Sequence, residues 1–169
     1  MKILLIGLGS IGQRHLRNLK KLYKQSEFFA YRTLKRDFIL NNKNKITGDD
    51  IIKKYNIHQI FNINEILKYH FDAVFINTPS SKHLDNFDLL LKKNFNIFIE
   101  KPLIDDSSKA RVFLKKISKY KNRKIMIGHQ LRFNECLLEI KNIINKKIIG
   151  NICGANIYHG ENIKNFHIY

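Results

Sequence analysis

Apolar and polar positions alternate along this chain on two different periods, and the switches between them mark out its elements. Lys2-Ile3-Leu4-Leu5-Ile6 is a short, nearly continuous apolar run, the pattern of a strand buried on both faces. From Ser10 to Lys24 the period changes to that of a helix, with Ile11, Leu16, Leu19 and Leu22 on or near one face and Arg14, Arg17 and Lys21 outside it. Glu27 to Tyr31 reads as a second strand. A polar stretch through Asn41-Asn42-Lys43-Asn44 follows as a loop, then a short helix from about Asp49 to Tyr55, a weak strand at Gln59-Ile60-Phe61 and a helix opened by Asn64-Glu65. Phe71 to Ile76 is apolar on both faces, as a central parallel strand must be. Ser81 to Lys93 predicts an amphipathic helix, Asn96 to Ile99 a strand, Ser107 to Tyr120 a helix with Ser107 as its N-cap, and Lys124 to Ile127 another strand.

Sustained β-α-β-α alternation predicts an α/β fold, a doubly wound parallel sheet. We place this domain at residues 1–122. Residues 123–169 then hold a connecting strand, a helix from Asn134 to about Lys146 with Leu137, Ile140, Ile143 and Ile144 at helical spacing, and a final strand from Ile152 to Tyr158. That last strand has no later strand to pair with. It predicts either the start of an incomplete, truncated α/β second domain or an edge completed by another chain, with self-association as the consequence.

Composition changes this picture little. The 169 residues carry 31 Lys and Arg against 14 Asp and Glu, a formal charge of +17. The excess is mainly lysine scattered among asparagine and isoleucine, with no arginine-rich stripe or basic tail, which speaks against nucleic acid as partner and leaves a general attraction for anionic small molecules. Cys136 and Cys153 form no C-x-x-C pair and have no histidine at metal-ligand spacing, so they read as reduced packing residues of a cytoplasmic protein that binds no metal. The first apolar run is broken by Gly7 and Gly9 too early for a secretory signal, and no segment approaches membrane-spanning length.

Candidate chemistry lies at the ends of the strands. The first strand runs into Gly7-Leu8-Gly9-Ser10-Ile11-Gly12 and then directly into a helix. In that context Gly7 permits the tight turn, Gly9 lets the backbone approach a pyrophosphate, and Gly12 lets the helix lie close on the sheet, while the helix-start N–H groups of Ser10 and Ile11 face the phosphates. The central strand ends in Asn77-Thr78-Pro79-Ser80-Ser81-Lys82-His83 and the next in Glu100-Lys101-Pro102. The two prolines of the chain therefore both sit just past a strand, at the edge where open α/β sheets bind ligands.

With these motifs, and with Gly128-His129-Gln130-Leu131-Arg132-Phe133-Asn134, the chain resembles the Gfo/Idh/MocA oxidoreductases, named for glucose-fructose oxidoreductase, inositol dehydrogenase and a rhizopine-catabolism protein. The resemblance implies a Rossmann domain that binds NAD or NADP and a hydride transfer to or from a secondary hydroxyl or ketone of a sugar, cyclitol or nucleotide sugar. It makes Lys101 the catalytic candidate, beside the nicotinamide and the reacting hydroxyl, where crowding by cofactor and substrate suits it to proton transfer. It implies Glu100 as an orienter of Lys101 or a ribose contact, Asn77, Thr78 and Pro79 as cofactor contacts, His83 as a packing and hydrogen-bonding residue at the same edge, and Arg132 as a substrate or anion contact.

Two departures from the family pattern stand out. The second strand ends Ala30-Tyr31-Arg32-Thr33, without the carboxylate that NAD-specific members place on the ribose diol. With Lys35 and Arg36 behind it, this segment is expected to welcome a 2'-phosphate, so NADP is favoured over NAD at Tyr31, Arg32 and Thr33. The downstream Asp and His pair of the substrate domain has no match either: no aspartate follows Asp106, and His159 and His167 stand without one. The competing reading is a non-catalytic NAD(P)-binding module, with turnover of a sugar as the discriminating observation.

Overall fold

The computed structural model describes residues 1–34, 36–120 and 123–160, which divide into two compact units, Met1–Gly128 and the remainder from His129. In the first unit six parallel strands form one sheet: β1 (Lys2–Ile6), β2 (Glu27–Tyr31), β5 (Ile57–Ile60), β6 (Ala73–Ile76), β7 (Ile97–Ile99) and β8 (Ile125–Ile127), in the spatial order β5-β2-β1-β6-β7-β8. The order reverses direction at β1, so the crevice between β1 and β6 opens at the carboxyl ends of the strands. Between β2 and β5 a two-stranded hairpin pairs β3 (Ile39–Leu40) with β4 (Ile46–Gly48). The helices of this unit are α1 (Ser10–Leu22), α2 (Ile51–Tyr55), α3 (His83–Leu90) and α4 (Ser108–Ile117).

The period-2 geometry of β1 explains why it is apolar throughout. Leu4 and Ile6 point into one cluster with Val74, Ile76, Ile97, Ile99, Phe87 and Phe113, the last two brought by α3 and α4. Ile3 and Leu5 point into the other with Phe28, Ala30, Leu16 and Leu19, the last two from α1. A strand covered on both faces has no polar side to present.

Several boundaries differ from those expected. β8 pairs with β7 through Ile97↔Ile125 and Ile99↔Ile127, so the sheet extends past residue 122 and the unit closes at Gly128. The stretch read as loop through Asn44 contains the β3–β4 turn: the Asn41 side-chain oxygen accepts from the backbone N–H of Lys43 at 2.8 Å and of Lys45 at 3.0 Å, and Asn44 takes φ +57°. These are asparagine's ordinary reasons for occupying a tight turn. The helix expected at Asn64-Glu65 is a 3-10 segment, Ile63–Lys68. Ser107 does not cap α4, because its own backbone is already helical; Asp106 does so instead, its carboxylate accepting from Ser108 N–H at 2.9 Å.

The second unit consists of a 3-10 turn, Gln130–Phe133, and helix α5 (Glu135–Asn145), whose first turn is capped by the Asn134 side chain accepting from Leu137 N–H at 3.2 Å. The strand expected over Ile152–Tyr158 is absent: these residues have no regular structure, since a strand exists only through a ladder and no partner strand occurs among the described residues of this unit. The case for self-association through that edge loses its strand. Cys136 and Cys153 are exposed here, not packed, because none of the described residues from 129 to 160 is buried.

Candidate functional site

The carboxyl ends of four neighbouring strands place one residue each in a row. Gly7 N–H donates to the Tyr31 carbonyl at 2.9 Å, Asn77 N–H to Ile6 at 2.9 Å, Glu100 N–H to Ile76 at 3.0 Å and Gly128 N–H to Ile99 at 2.8 Å. Parallel pairing thus sets the glycine turn, the Asn77 loop and the Glu100-Lys101-Pro102 loop side by side at one edge, although they lie far apart in sequence.

The glycines of the turn are required for different reasons. Gly7 has φ +94°, and a Cβ there would meet the Asn77 carbonyl oxygen at 3.0 Å. A Cβ on Gly12 would stand 2.3 Å from the Gly7 carbonyl oxygen, a distance that no side chain can occupy. Gly9 is exposed and a Cβ on it would meet nothing within 4 Å, so the protein itself makes no demand for glycine there. That leaves the backbone at Gly9 open to approach from outside. Helix α1 begins at the next residue, and its first N–H groups, those of Ser10 and Ile11 among them, lack intrahelical acceptors and face that same opening.

Asn77 lies beside this turn with 6% of its surface exposed, yet neither its side-chain nitrogen nor its oxygen has a hydrogen-bond partner. A buried primary amide with both ends unpaired is costly unless a ligand completes it. Together with the open face at Gly9, this is the fit expected for a dinucleotide whose phosphates lie on the turn.

Thr78 is half-buried and Pro79 exposed. His83, 1% exposed, is within 2.7 Å of the Thr78 carbonyl through Nε2 and 3.0 Å of the Pro102 carbonyl through Nδ1, tying the Asn77 loop to the Glu-Lys-Pro loop. Its position is that of a brace between two loops. Asn86 stiffens the Asn77 loop itself, donating to the Thr78 hydroxyl at 3.1 Å and the Lys82 carbonyl at 2.7 Å.

Glu100 is buried and uses both oxygens. Oε1 stands 2.6 Å from His15 Nε2, and Oε2 accepts from the Lys101 backbone N–H at 3.1 Å. Burial pushes its carboxyl up, but the hydrogen bond and charge of His15 together with the N–H and charge of Lys101 outweigh that, leaving it below the ordinary carboxylate value. Sequence reasoning named Glu100 but missed His15, whose position three residues beyond Gly12 in the helix turns it back under this edge. The Lys101 side chain itself is exposed.

At the end of β2 the structure corrects an expectation. Arg32 does not stand open to a 2'-phosphate: Nη1 donates to Asp37 Oδ1 at 2.8 Å and to the Arg36 carbonyl at 3.0 Å, and Nη2 to Gln59 Oε1 at 2.9 Å. Tyr31 is half-buried, Thr33 exposed, and Lys35 lies outside the described residues, as does His167. Arg132 is exposed on the 3-10 turn of the second unit. Among the described residues no cluster of His, Cys, Asp or Glu could hold a metal, and no helix is long and apolar enough to cross a membrane.

Residues 1–129 match the sequence profile of the GFO_IDH_MocA oxidoreductase family, described by its NAD-binding Rossmann fold. The chain belongs to that family. Among its relatives, an oxidoreductase of Formosa agariphila is 30% identical over 86 residues, 51% of this chain and 26% of its own length. The inositol 2-dehydrogenase of Salmonella typhimurium is 26% identical over 153 residues, 89% of this chain and 43% of that protein. The chain therefore spans less than half the length of these relatives. Scyllo-inositol dehydrogenase from Lactobacillus casei, whose crystal structure holds NAD(H) and scyllo-inositol, superposes with a TM-score of 0.73 at 22% identity over 89% of this chain and 42% of that one, a likeness of fold.

Proposed function

We propose that the chain is the cofactor half of a dehydrogenase that moves hydride between a nicotinamide dinucleotide and a secondary hydroxyl or ketone of a sugar, cyclitol or nucleotide sugar. The observation that carries this reading is the Asn77 amide, buried and unpartnered beside a glycine turn whose Gly9 opens onto free space. When bound, the dinucleotide supplies the hydride acceptor or donor. The first N–H groups of α1 and the turn backbone hold its phosphates, and Asn77 and Thr78 orient its nicotinamide half. Lys101 exchanges the hydroxyl proton, with its backbone held by the Glu100 carboxylate and its side chain exposed at the cofactor edge. Inositol is a fitting member of the substrate class, since relatives and fold neighbours include inositol dehydrogenases. A cytoplasmic setting agrees with two free cysteines.

The preference for NADP(H) expected from Arg32 loses its support where Asp37 neutralises the guanidinium. Whether the chain acts as an enzyme or as a cofactor-binding module is read from two measurements on the same protein. Saturable quenching or enhancement of NADH fluorescence tests the dinucleotide site, and its absence in a folded chain would remove the whole reading. A screen of inositols, sugars and nucleotide sugars for NAD(P)H formation tests catalysis; turnover abolished by Lys101→Ala supports the enzyme, and binding without turnover supports the module.

A further inference from the structure

We infer that Asp37 sets the cofactor's charge preference, and sets it toward the dinucleotide without a 2'-phosphate; this rests on the dinucleotide-binding reading above. The residues directly after β2 are Arg32 and Thr33, which contain no carboxylate for a ribose diol. Folding supplies one from five residues further on.

Arg32 and Asp37 form an ion pair at 2.8 Å in which the two partners are unequally placed. The arginine side chain is 6% exposed and the aspartate side chain 51% exposed. A ligand arriving from solvent therefore meets the anion, with the cation behind it. Both terminal nitrogens of the guanidinium are already engaged, Nη1 by Asp37 and the Arg36 carbonyl and Nη2 by Gln59. Turning Arg32 outward to a phosphate would break a charge-assisted bond and leave Asp37 bare beside the incoming negative charge.

The pair is fastened to the dinucleotide turn on two sides. Gly7 of that turn donates to Tyr31, the residue before Arg32. Gln13, in the first turn of α1, donates from Nε2 to the Phe38 carbonyl at 3.0 Å and accepts from Leu40 N–H at 2.7 Å, so the segment that follows Asp37 is tied to the helix that begins at the phosphate cradle. Asp37 itself is fixed through its carbonyl, which accepts from Ile51 N–H at 2.9 Å. Held in this way, a half-exposed carboxylate with lone pairs beyond the one facing Arg32 can accept hydroxyls of a ribose diol and repels a phosphate at the same carbon.

The test is a fluorescence titration of the full chain with NADH and with NADPH, for the wild type, Asp37→Asn and Asp37→Ser, with folding of each verified by circular dichroism. The wild type is expected to bind NADH at least about tenfold more tightly than NADPH, and both variants to narrow that ratio by about tenfold, mainly through tighter NADPH binding. Asn keeps an oxygen and Ser a hydroxyl that can accept from Arg32, whose bonds to the Arg36 carbonyl and Gln59 are left in place in both variants. Tighter binding of NADPH by the wild type, or an unchanged ratio in both variants, overturns the role of Asp37 while leaving the dinucleotide site in place. A folded wild-type chain that binds neither nucleotide overturns both.

Discussion

His15 Nε2 and Glu100 Oε1 meet at 2.6 Å across 85 residues of sequence, joining helix α1 to the Glu100-Lys101-Pro102 loop. The imidazole packs against Phe75 and Phe98, with ring centroids 5.6 and 5.0 Å away, and the other oxygen of the same carboxylate holds the Lys101 backbone. One carboxylate thus links the helix that begins at the glycine turn to the peptide bearing the catalytic candidate. Removing the imidazole with His15→Ala leaves a buried charge one partner short. Such a loss costs about 1–3 kcal/mol, read as a lower urea midpoint at unchanged m-value. His15→Gln, which keeps a donor, should recover part of it. A midpoint in His15→Ala equal to that of the wild type would show that the pair contributes nothing to the fold.

The same carboxylate makes stability depend on pH in a definite direction. Its folded value lies below the ordinary one, so the unfolded chain binds its proton more readily, and stability rises with pH through that window. The contribution of Glu100 is complete above the unfolded value of about 4.3 and disappears as pH falls through the lower folded value. The titratable groups facing it are His15 from α1 and Lys101 from its own loop. Urea unfolding of the wild type and of Glu100→Gln, compared from neutral pH down through the carboxylate range, should show their difference shrinking at the acid end. A difference constant with pH would mean that the charge of Glu100 is not stabilised in the fold.

The parts of this molecule that were legible in the sequence are those governed by local patterning. β1 and β6 are apolar on both faces because helices cover both faces, and the glycine turn is readable because Gly7 and Gly12 answer steric needs within a few residues. The row formed by Gly7, Asn77, Glu100 and Gly128 follows once parallel pairing is assumed. What escaped was set by contacts between distant segments. Arg32 reads as a free cation until Asp37 and Gln59 fold onto it, and His15 reads as one more polar residue of α1 until Glu100 arrives beneath it. The β3–β4 hairpin escaped because asparagine-rich polar composition hides a turn made by Asn41 and Asn44.

The two glycines Gly9 and Gly12 are expected to fail in opposite ways. Gly12→Ala forces a methyl group to within 2.3 Å of the Gly7 carbonyl oxygen, so α1 must move away from the turn and the fold loses stability, by an amount in the range of about 1–3 kcal/mol for overpacked sites. Gly9→Val meets open space and should leave thermal stability close to that of the wild type, while its side chain fills the approach to the phosphate cradle and abolishes NADH binding. Thermal unfolding and NADH titration of the two variants separate the effects. Undiminished binding by Gly9→Val would mean that the phosphates do not lie on this turn.

Asn77 should show a reversal of sign between the free and the nucleotide-bound protein. Its amide is buried with both polar atoms unpaired, so in the free chain it carries a desolvation cost of about 1–3 kcal/mol that no hydrogen bond returns. Asn77→Ala removes that cost and leaves only a small void beside Gly12, whose own would-be Cβ lies 3.4 Å from the Asn77 Cβ. The free variant should therefore be at least as stable as the wild type. A dinucleotide that pairs with the amide gains from a group already fixed in place, and the variant forfeits that gain. A ligand that binds only the folded state raises its stability in proportion to the logarithm of its affinity, so saturating NADH should lift the melting temperature of the wild type more than that of Asn77→Ala. Melting curves of both proteins with and without NADH contain the whole comparison. A variant destabilised when free, with an undiminished rise on adding NADH, would place the partner of Asn77 in solvent and not on the nucleotide.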